Sequence, residues 1–413
     1  MLLNLAWKNM FRHKIRTILT ASTIFAGVFI TLFANSLTSG ITRNVINKFI
    51  HTDIGIIRIL PHDLYEDMEE KYIASFSFTD NLKNNIKKTV NEEFTDIEIA
   101  ERIFFPGQIT NGISEIPIMF YGIDKDLEER LFKRKEFMVK GNYLGDSSKN
   151  KVIMSIKTAK LLDLKAGDFI TIMGRDSDKS MNAIEVEIAG LFNTDNVKID
   201  NNYIYMTKSL AWDFIGRESI NEIIIYSNNI QKEYTVSVFN VLENKFGKEA
   251  DIITWYEELH DFIDVMIMKE GTSYFVIMII ILLMAGFGIA NTLIMAVYER
   301  KKEIGILYAM GLNRKNIVSL FMFEGTFIGV LGGGLGGVLA YFTSLYFSVK
   351  GFNFNIPEEM TESLNFSGGL IYTYLPLNMI IIVSFVAILT AVIASLYPAW
   401  FATRLKPAEI IRQ

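Results

Sequence analysis

Hydrophobic and polar positions alternate along this chain in long blocks. Uncharged runs cover residues 17–42, 271–298, 325–349 and 363–403. Each contains an apolar core long enough to cross about 30 Å of hydrocarbon as a helix, the form in which every backbone N–H and C=O is bonded internally. The pattern predicts four transmembrane helices, at 17–42, 271–298, 316–349 and 370–402. Between the first two lies a polar insert, 43–270, with the shorter hydrophobic periods of a water-exposed domain. The predicted fold class is an α-helical membrane protein with four transmembrane helices and a large mixed α/β domain inserted between helices 1 and 2.

Within the insert, helical spacing at 82–94 and 232–245 is interleaved with extended runs. The runs fall at 55–60, 96–105, 116–123, 151–155, 169–173, 183–192, 202–206, 223–226 and 250–253. Their order predicts a mixed lobe assembled from both ends of the insert and a mostly β lobe between them. Residues 256–269 are helical and lead straight into the second span, a stiff join that transmits movement where a Gly/Ser linker would absorb it. Ahead of the first span, residues 2–15 form an amphipathic helix suited to the membrane interface. Lys8, Arg12 and Arg16 recur on it every four residues, and Leu3, Trp7, Met10 and Lys14 occupy another stripe.

Glu324 stands near the start of the third span. A carboxylate is costly in lipid, so this one must face protein, snorkel or pair with a cation, in a structural or coupling role. Gly329, Gly332, Gly333, Gly334, Gly336 and Gly337 let another helix approach closely, and no Lys-Ser/Thr follows them to make a phosphate loop. Pro376 suits the first turn of the fourth span, and Pro398 is expected to kink or end it.

Charge predicts sidedness. The segment before the first span carries four cations, Lys8, Arg12, Lys14 and Arg16, and no acid. The connection 299–315 holds five cations against two acids, and the tail 403–413 holds three against one. The rest of the chain is strongly acidic, since the whole carries a formal charge of −5. Positive charge collects on the cytoplasmic side of short connections, which puts both termini there and the insert and the 350–369 loop outside. Ala34-Asn35-Ser36 resembles a signal-peptide cleavage site, but residues 17–38 exceed a typical leader core and cleavage would strand a cationic connection outside.

Chemistry is sparse. There is no cysteine, and His13, His51, His62 and His260 are scattered. Neither a zinc constellation, a serine elbow nor an HExxH motif occurs, so no catalytic, metal or cofactor residue is expected, and the acidic insert repels nucleic acid.

The residues resemble the FtsX-like, MacB-type permease family of ABC transporters. Leu5-Ala6-Trp7-Lys8-Asn9-Met10-Phe11-Arg12 is similar to the family's A-x-R-N-x-x-R opening, with Lys8 where Arg is usual. The most specific stretch begins at Asn291 and runs through Tyr298-Glu299-Arg300-Lys301-Lys302-Glu303-Ile304-Gly305-Ile306-Leu307-Tyr308-Ala309-Met310-Gly311 to Glu324-Gly325. Tyr397-Pro398-Ala399-Trp400 through Arg404-Leu405-Lys406-Pro407 resembles the closing motif. Ser155-Ile156-Lys157-Thr158-Ala159 through Gly167-Asp168, with Gly122-Ile123-Asp124, is closest to the lipoprotein-releasing LolC/LolE-like permeases, Ser155 replacing their usual Gly.

The resemblance implies that 299–315 holds a coupling helix against a separate cytoplasmic ATPase dimer, which would bind the ATP and Mg. It implies Glu299, Arg300, Lys301, Glu303, Ile304, Leu307, Tyr308, Met310, Gly311 and Arg314 as coupling candidates, with Glu324 as a structural or coupling carboxylate. It further implies a second permease copy or related permease, membrane lipid around the spans, and a lipoprotein or other amphipathic cargo. Cargo contacts are not assigned. Efflux or peptide export, regulation of a wall hydrolase and ligand sensing through a partner are the alternative functions.

Overall fold

A computed structural model describes residues 2–12, 14–62, 64, 76–145, 149–194, 196–309, 311–353 and 370–404. It divides into two compact units. One lies within Met1–Asn44, Asp264–Phe354 and Gly369–Gln413, and the described part of the other is Val45–Ile263.

The chain starts with α1 (Leu2–Arg12) and α2 (Lys14–Phe49). At 1.5 Å per residue, the 36 residues of α2 reach about 54 Å, well beyond one hydrocarbon layer. Its hydroxyls are internally satisfied: Thr20, Thr31 and Thr38 each donate to the carbonyl four residues earlier. A π-helical turn, Ile50–Ile54, ends at Gly55, whose φ is +61°. A Cβ there would stand 2.5 Å from the Ile225 carbonyl oxygen, so the position requires glycine.

The second unit contains β1 (Ile57–Pro61), α3 (Asp80–Glu93), β2 (Glu98–Thr110), β3 (Glu115–Ile123), α4 (Lys125–Phe132), β4 (Met138–Gly141) and β5 (Lys151–Ser155). It continues with α5 (Ile156–Leu161), β6 (Phe169–Arg175), β7 (Met181–Phe192), α6 (Val197–Asn202), β8 (Tyr203–Thr207) and α7 (Lys208–Ile215). The last elements are β9 (Glu222–Tyr226), α8 (Lys232–Phe246), β10 (Ala250–Thr254) and α9 (Trp255–Glu258). Strands β10, β1, β9 and the first residues of β2 make an antiparallel sheet, with α8 against β10 and α3 against α8. Past Arg102 the 13-residue β2 leaves that sheet and pairs with β3 and β6. The ring β2–β3–β8–β5–β7–β6 closes on itself as a barrel. Closure leaves none of the six strands as a bare edge. Phe105 stacks on Phe120 and Phe214 at 5.4 and 5.2 Å inside it, and α7 packs Leu210, Ala211 and Ile215 into the same core. The mixed lobe drawn from both ends of the insert, and the β lobe between, are therefore present.

The chain returns through α10 (His260–Glu299), α11 (Lys301–Ala309), α12 (Arg314–Lys350) and α13 (Leu377–Thr403). Four helices are long and apolar enough to cross a membrane: Lys14–Ile54, Tyr274–Glu299, Arg314–Lys350 and Leu377–Thr403. The fourth starts later than the predicted residue 370, because Leu370–Ile371 pairs as β12 with β11 (Phe352–Asn353) and Pro376 forces extended backbone just ahead of Leu377. Pro398 does not end α13. Five more helical residues follow, anchored by the fully buried Ala399 and Ala402.

The glycines of α12 serve two neighbours. Cβ atoms at Gly325 and Gly329 would lie 2.7 and 2.8 Å from Ser395 and Ala391 of α13, and those at Gly332 and Gly336 would lie 2.7 and 2.8 Å from the Ala21 and Phe25 carbonyl oxygens of α2. Helices held this close associate by backbone contact, the packing that works where lipid offers no hydrophobic drive.

Candidate functional site

Helix α10 stops at Glu299 and α11 restarts at Lys301, with Arg300 between them. The break is slight, since the Arg300 N–H still reaches the Ala296 oxygen and the Ile304 N–H the Arg300 oxygen. Arg300 turns inward and is buried. Its Nη1 donates to Glu324 Oε1 of α12 at 2.9 Å, and its Nη2 to the Asn9 carbonyl oxygen of α1 at 3.0 Å. Asn9 Nδ2 donates to the same Glu324 oxygen at 2.9 Å. Three elements thus close on one buried ion pair.

Two further ion pairs extend this clasp. Arg16 of α2 meets Glu299, and Arg12 of α1 meets Glu303 at 2.6 Å. One turn deeper, the Thr20 and Thr292 hydroxyl oxygens lie 3.0 Å apart, and Trp7 sits edge-on to Phe327 at 5.3 Å. The pairs differ in worth. Removing one partner of a buried pair costs about 3–5 kcal/mol, whereas an exposed pair such as Arg12–Glu303 contributes about 0–1 kcal/mol. Half-exposed Trp7, Tyr298, Tyr397 and Trp400 stand at this end of the spans, as aromatic side chains do at headgroup depth.

The coupling candidates divide by position. Arg300 and Glu324 come together, while Glu299 and Glu303 reach the two N-terminal arginines. Ile304 is buried among the spans, and Ile306 is exposed beside exposed Lys302. Lys301 is half-buried, and Gly311, at φ +88°, makes the open turn before exposed Arg314. Met310 lies outside the described residues, as do the side chains of Leu307 and Tyr308. Asn9, Arg12 and Arg16 were not among the sequence-derived candidates. Their signal is spacing: two arginines four residues apart match two glutamates four residues apart.

A second charged cluster lies inside the other unit. Arg102 donates to both Glu128 oxygens at 2.6 and 3.1 Å, to the Asp53 carbonyl oxygen at 2.9 Å, and to Glu222 at 3.5 Å. Arg134 holds Glu128 from the other side at 2.8 Å, and Arg58 holds Glu222 at 2.5 Å and Glu258 at 3.2 Å. Burial alone would raise the Glu128 carboxyl, but Arg102 and Arg134 overcome it and keep it below the usual carboxylate range. Glu258 behaves alike, with burial opposed by Arg58 and Lys198. The cluster joins β1, β9, α4 and the point where β2 leaves the sheet for the barrel. Sequence reading missed it, although Glu101 and Arg102, set directly ahead of the apolar Ile103-Phe104-Phe105, were a signal. Among the described residues no group of three His, Asp or Glu could hold a metal ion.

Four apolar helices with a charge clasp at one end, attached to a large α/β unit, define a multi-pass membrane protein with an extracytoplasmic domain. Residues 17–234 match the MacB-like periplasmic core domain, and residues 275–407 match the FtsX-like permease C-terminal domain. The chain belongs to this FtsX-like, MacB-type family of ABC transporter permeases, whose members act with a partner ATPase. It is 24% identical to an uncharacterised ABC transporter permease of Methanocaldococcus jannaschii, over 100% of this chain and 97% of that one. It is also 24% identical to the lipoprotein-releasing system transmembrane protein LolC of Buchnera aphidicola, over 96% and 94% of the two chains. Among solved structures, the periplasmic region of MacB from Actinobacillus actinomycetemcomitans superposes with a TM-score of 0.34 at 13% identity, covering 54% of this chain and 98% of that one.

Proposed function

We propose that this permease works with a cytoplasmic ATPase dimer and a second permease, identical or related, to draw lipid-anchored proteins from the outer leaflet of the inner membrane. In this reading both termini and α11 face the cytoplasm, where Lys302 and Ile306 of α11 and Arg314 at the start of α12 meet the ATPase. Closure of the ATPases on nucleotide displaces α11. Arg300 carries the reading: it sits at a helix break, yet it is bonded to α1 and α12, so the clasp cannot absorb a push locally. Continuous helices α2 and α10 pass the displacement toward the outer unit, whose separation from its counterpart changes.

The cargo class rests on the LolC relative and on the 155–168 motif. Ser155 caps α5 by accepting from the Lys157 and Thr158 N–H groups, and Asp168 accepts from the Lys165 N–H at 2.7 Å. These residues build turns of the barrel and speak to the outer unit's form. Lifting acyl chains from a bilayer costs about 0.8 kcal/mol per CH₂, work that needs an ATPase.

The test is to purify the complex with a catalytically stalled ATPase and identify what copurifies. Acylated protein is the expected result. A soluble peptide or drug would instead make this an efflux permease, and a wall hydrolase would make it a regulator. Deleting residues 303–311 should abolish ATPase association while the outer unit stays folded.

A further inference from the structure

Among the described residues of the membrane unit, two large apolar grooves differ in their lining charge. One, of about 560 Å³, lies between α10 and α13 and has no charged lining residue; Leu283, Phe287 and Ile393 are among its walls. The other, of about 430 Å³, lies between α2 and α12 and has Lys14 among its lining residues. Ile18, Ser22 and Phe25 continue its α2 wall, and Leu331 and Leu335 form the other side. Both volumes lie within the range of small-ligand pockets.

We infer that the α2–α12 groove holds one anionic phospholipid, its phosphate on Lys14 and an acyl chain running past Ile18 toward Phe25. Three observations carry this. The neighbouring cations Arg12, Arg16 and Arg300 each meet a carboxylate, whereas Lys14 makes no ion pair among the described residues. From Lys14 to Phe25 the helix rises about 16 Å, which matches the half-thickness, about 15 Å, of the hydrocarbon in a single leaflet. Lys14 also lies between Trp7 and Thr20, at the end of the spans where exposed aromatic residues mark headgroup depth. The close approach of Gly332 to Ala21 forms the floor, and exposed Ile18 and Leu335 leave the groove open to lipid. A lipid seated there touches α2 and α12 within a turn of the clasp. The bilayer on that side thereby acquires a hold on the first and third spans that is separate from the ATPase contact.

Native mass spectrometry of the full-length protein in detergent, titrated with dioleoyl phosphatidylglycerol or dioleoyl phosphatidylcholine, tests the site. The wild-type protein should prefer phosphatidylglycerol, and Lys14→Gln should weaken that lipid about fivefold while leaving phosphatidylcholine unchanged. Retained phosphatidylcholine binding reports that the variant's groove is intact, and Lys14→Arg should restore the preference. Ser22→Trp, which fills the groove, should lower both lipids, whereas Leu283→Trp in the uncharged groove should change neither. Wild-type phosphatidylglycerol binding by both Lys14→Gln and Ser22→Trp would overturn the inference. So would a mass showing that a second copy of the chain, lost in Ser22→Trp, occupies the groove in place of lipid.

Discussion

The two charged clusters use the same residue types to opposite ends. In the outer unit Arg102, Glu128, Arg134 and Glu222 are almost wholly buried; Arg102, Glu128 and Glu222 each meet two or more opposite charges, and Arg134 completes the cluster through Glu128. Among the described charged residues of the membrane unit only Arg300 and Glu324 are buried, and the flanking Arg12–Glu303 pair lies largely in solvent. A cluster with every charge buried and shared can release none of them cheaply, so it locks the sheet to the barrel. A clasp with one buried pair and an exposed rim keeps its register but yields at the edge. The contrast is between a cluster closed on all its charges and a clasp whose buried pair holds while its rim is exposed.

The largest expected effect lies in the outer cluster. Arg102→Met leaves Glu128 and Glu222 buried with fewer cations, and should destabilise the outer unit by about 3–5 kcal/mol. Denaturant unfolding followed through Trp212 and Trp255, both in that unit, measures it; a loss under 1 kcal/mol would break the comparison. Next comes Glu324→Gln, which keeps an acceptor for Asn9 but strands the Arg300 charge, at about 1.5–3 kcal/mol. Thermal melting of the membrane unit should show that loss, and Arg300→Met with Glu324→Met should recover melting without recovering ATP-driven movement. Recovery of both would mean the pair is structural only.

The pH dependence sharpens the difference further. The folded Glu128 carboxyl titrates below its ordinary value of 4.5. Its contribution is therefore complete above pH 4.5 and is lost as pH falls through the lower, folded value. Wild-type melting of the outer unit should drop on acidification below pH 4.5, and Glu128→Gln should flatten that drop from a lower starting point. The smallest effect belongs to the rim: Arg12→Ala should cost about 0–1 kcal/mol and vanish at high salt. A salt-independent loss above 2 kcal/mol would put Arg12 with the buried pairs.

Much of this was readable from spacing. The strands at 151–155, 169–173 and 183–192 announced themselves by β-branched residues and glycine stops, because those signals are local. Glu324 announced its need for a partner, because a carboxylate in an apolar run has few options. Which cation would answer was not readable, since Arg300 lies 24 residues away and five basic residues crowd that connection. The barrel was hidden for the same reason: β2 pairs with β6 across more than 60 residues, and the residue at which β2 changes sheets looks like any other in its run.

By itself the sequence determined the four apolar lengths, the sidedness of charge and the alternation of strand and helix. Hydrophobic period and span length are properties of consecutive residues, so they need no partner to be expressed. Only the tertiary structure decided that β2 serves both a sheet and a closed barrel, that Asn9 and Arg300 share Glu324, and that Lys14 meets no carboxylate among the described residues. Those outcomes depend on which distant groups reach the same few ångströms, and burial makes such pairings decisive because an unmatched charge there has no water to turn to.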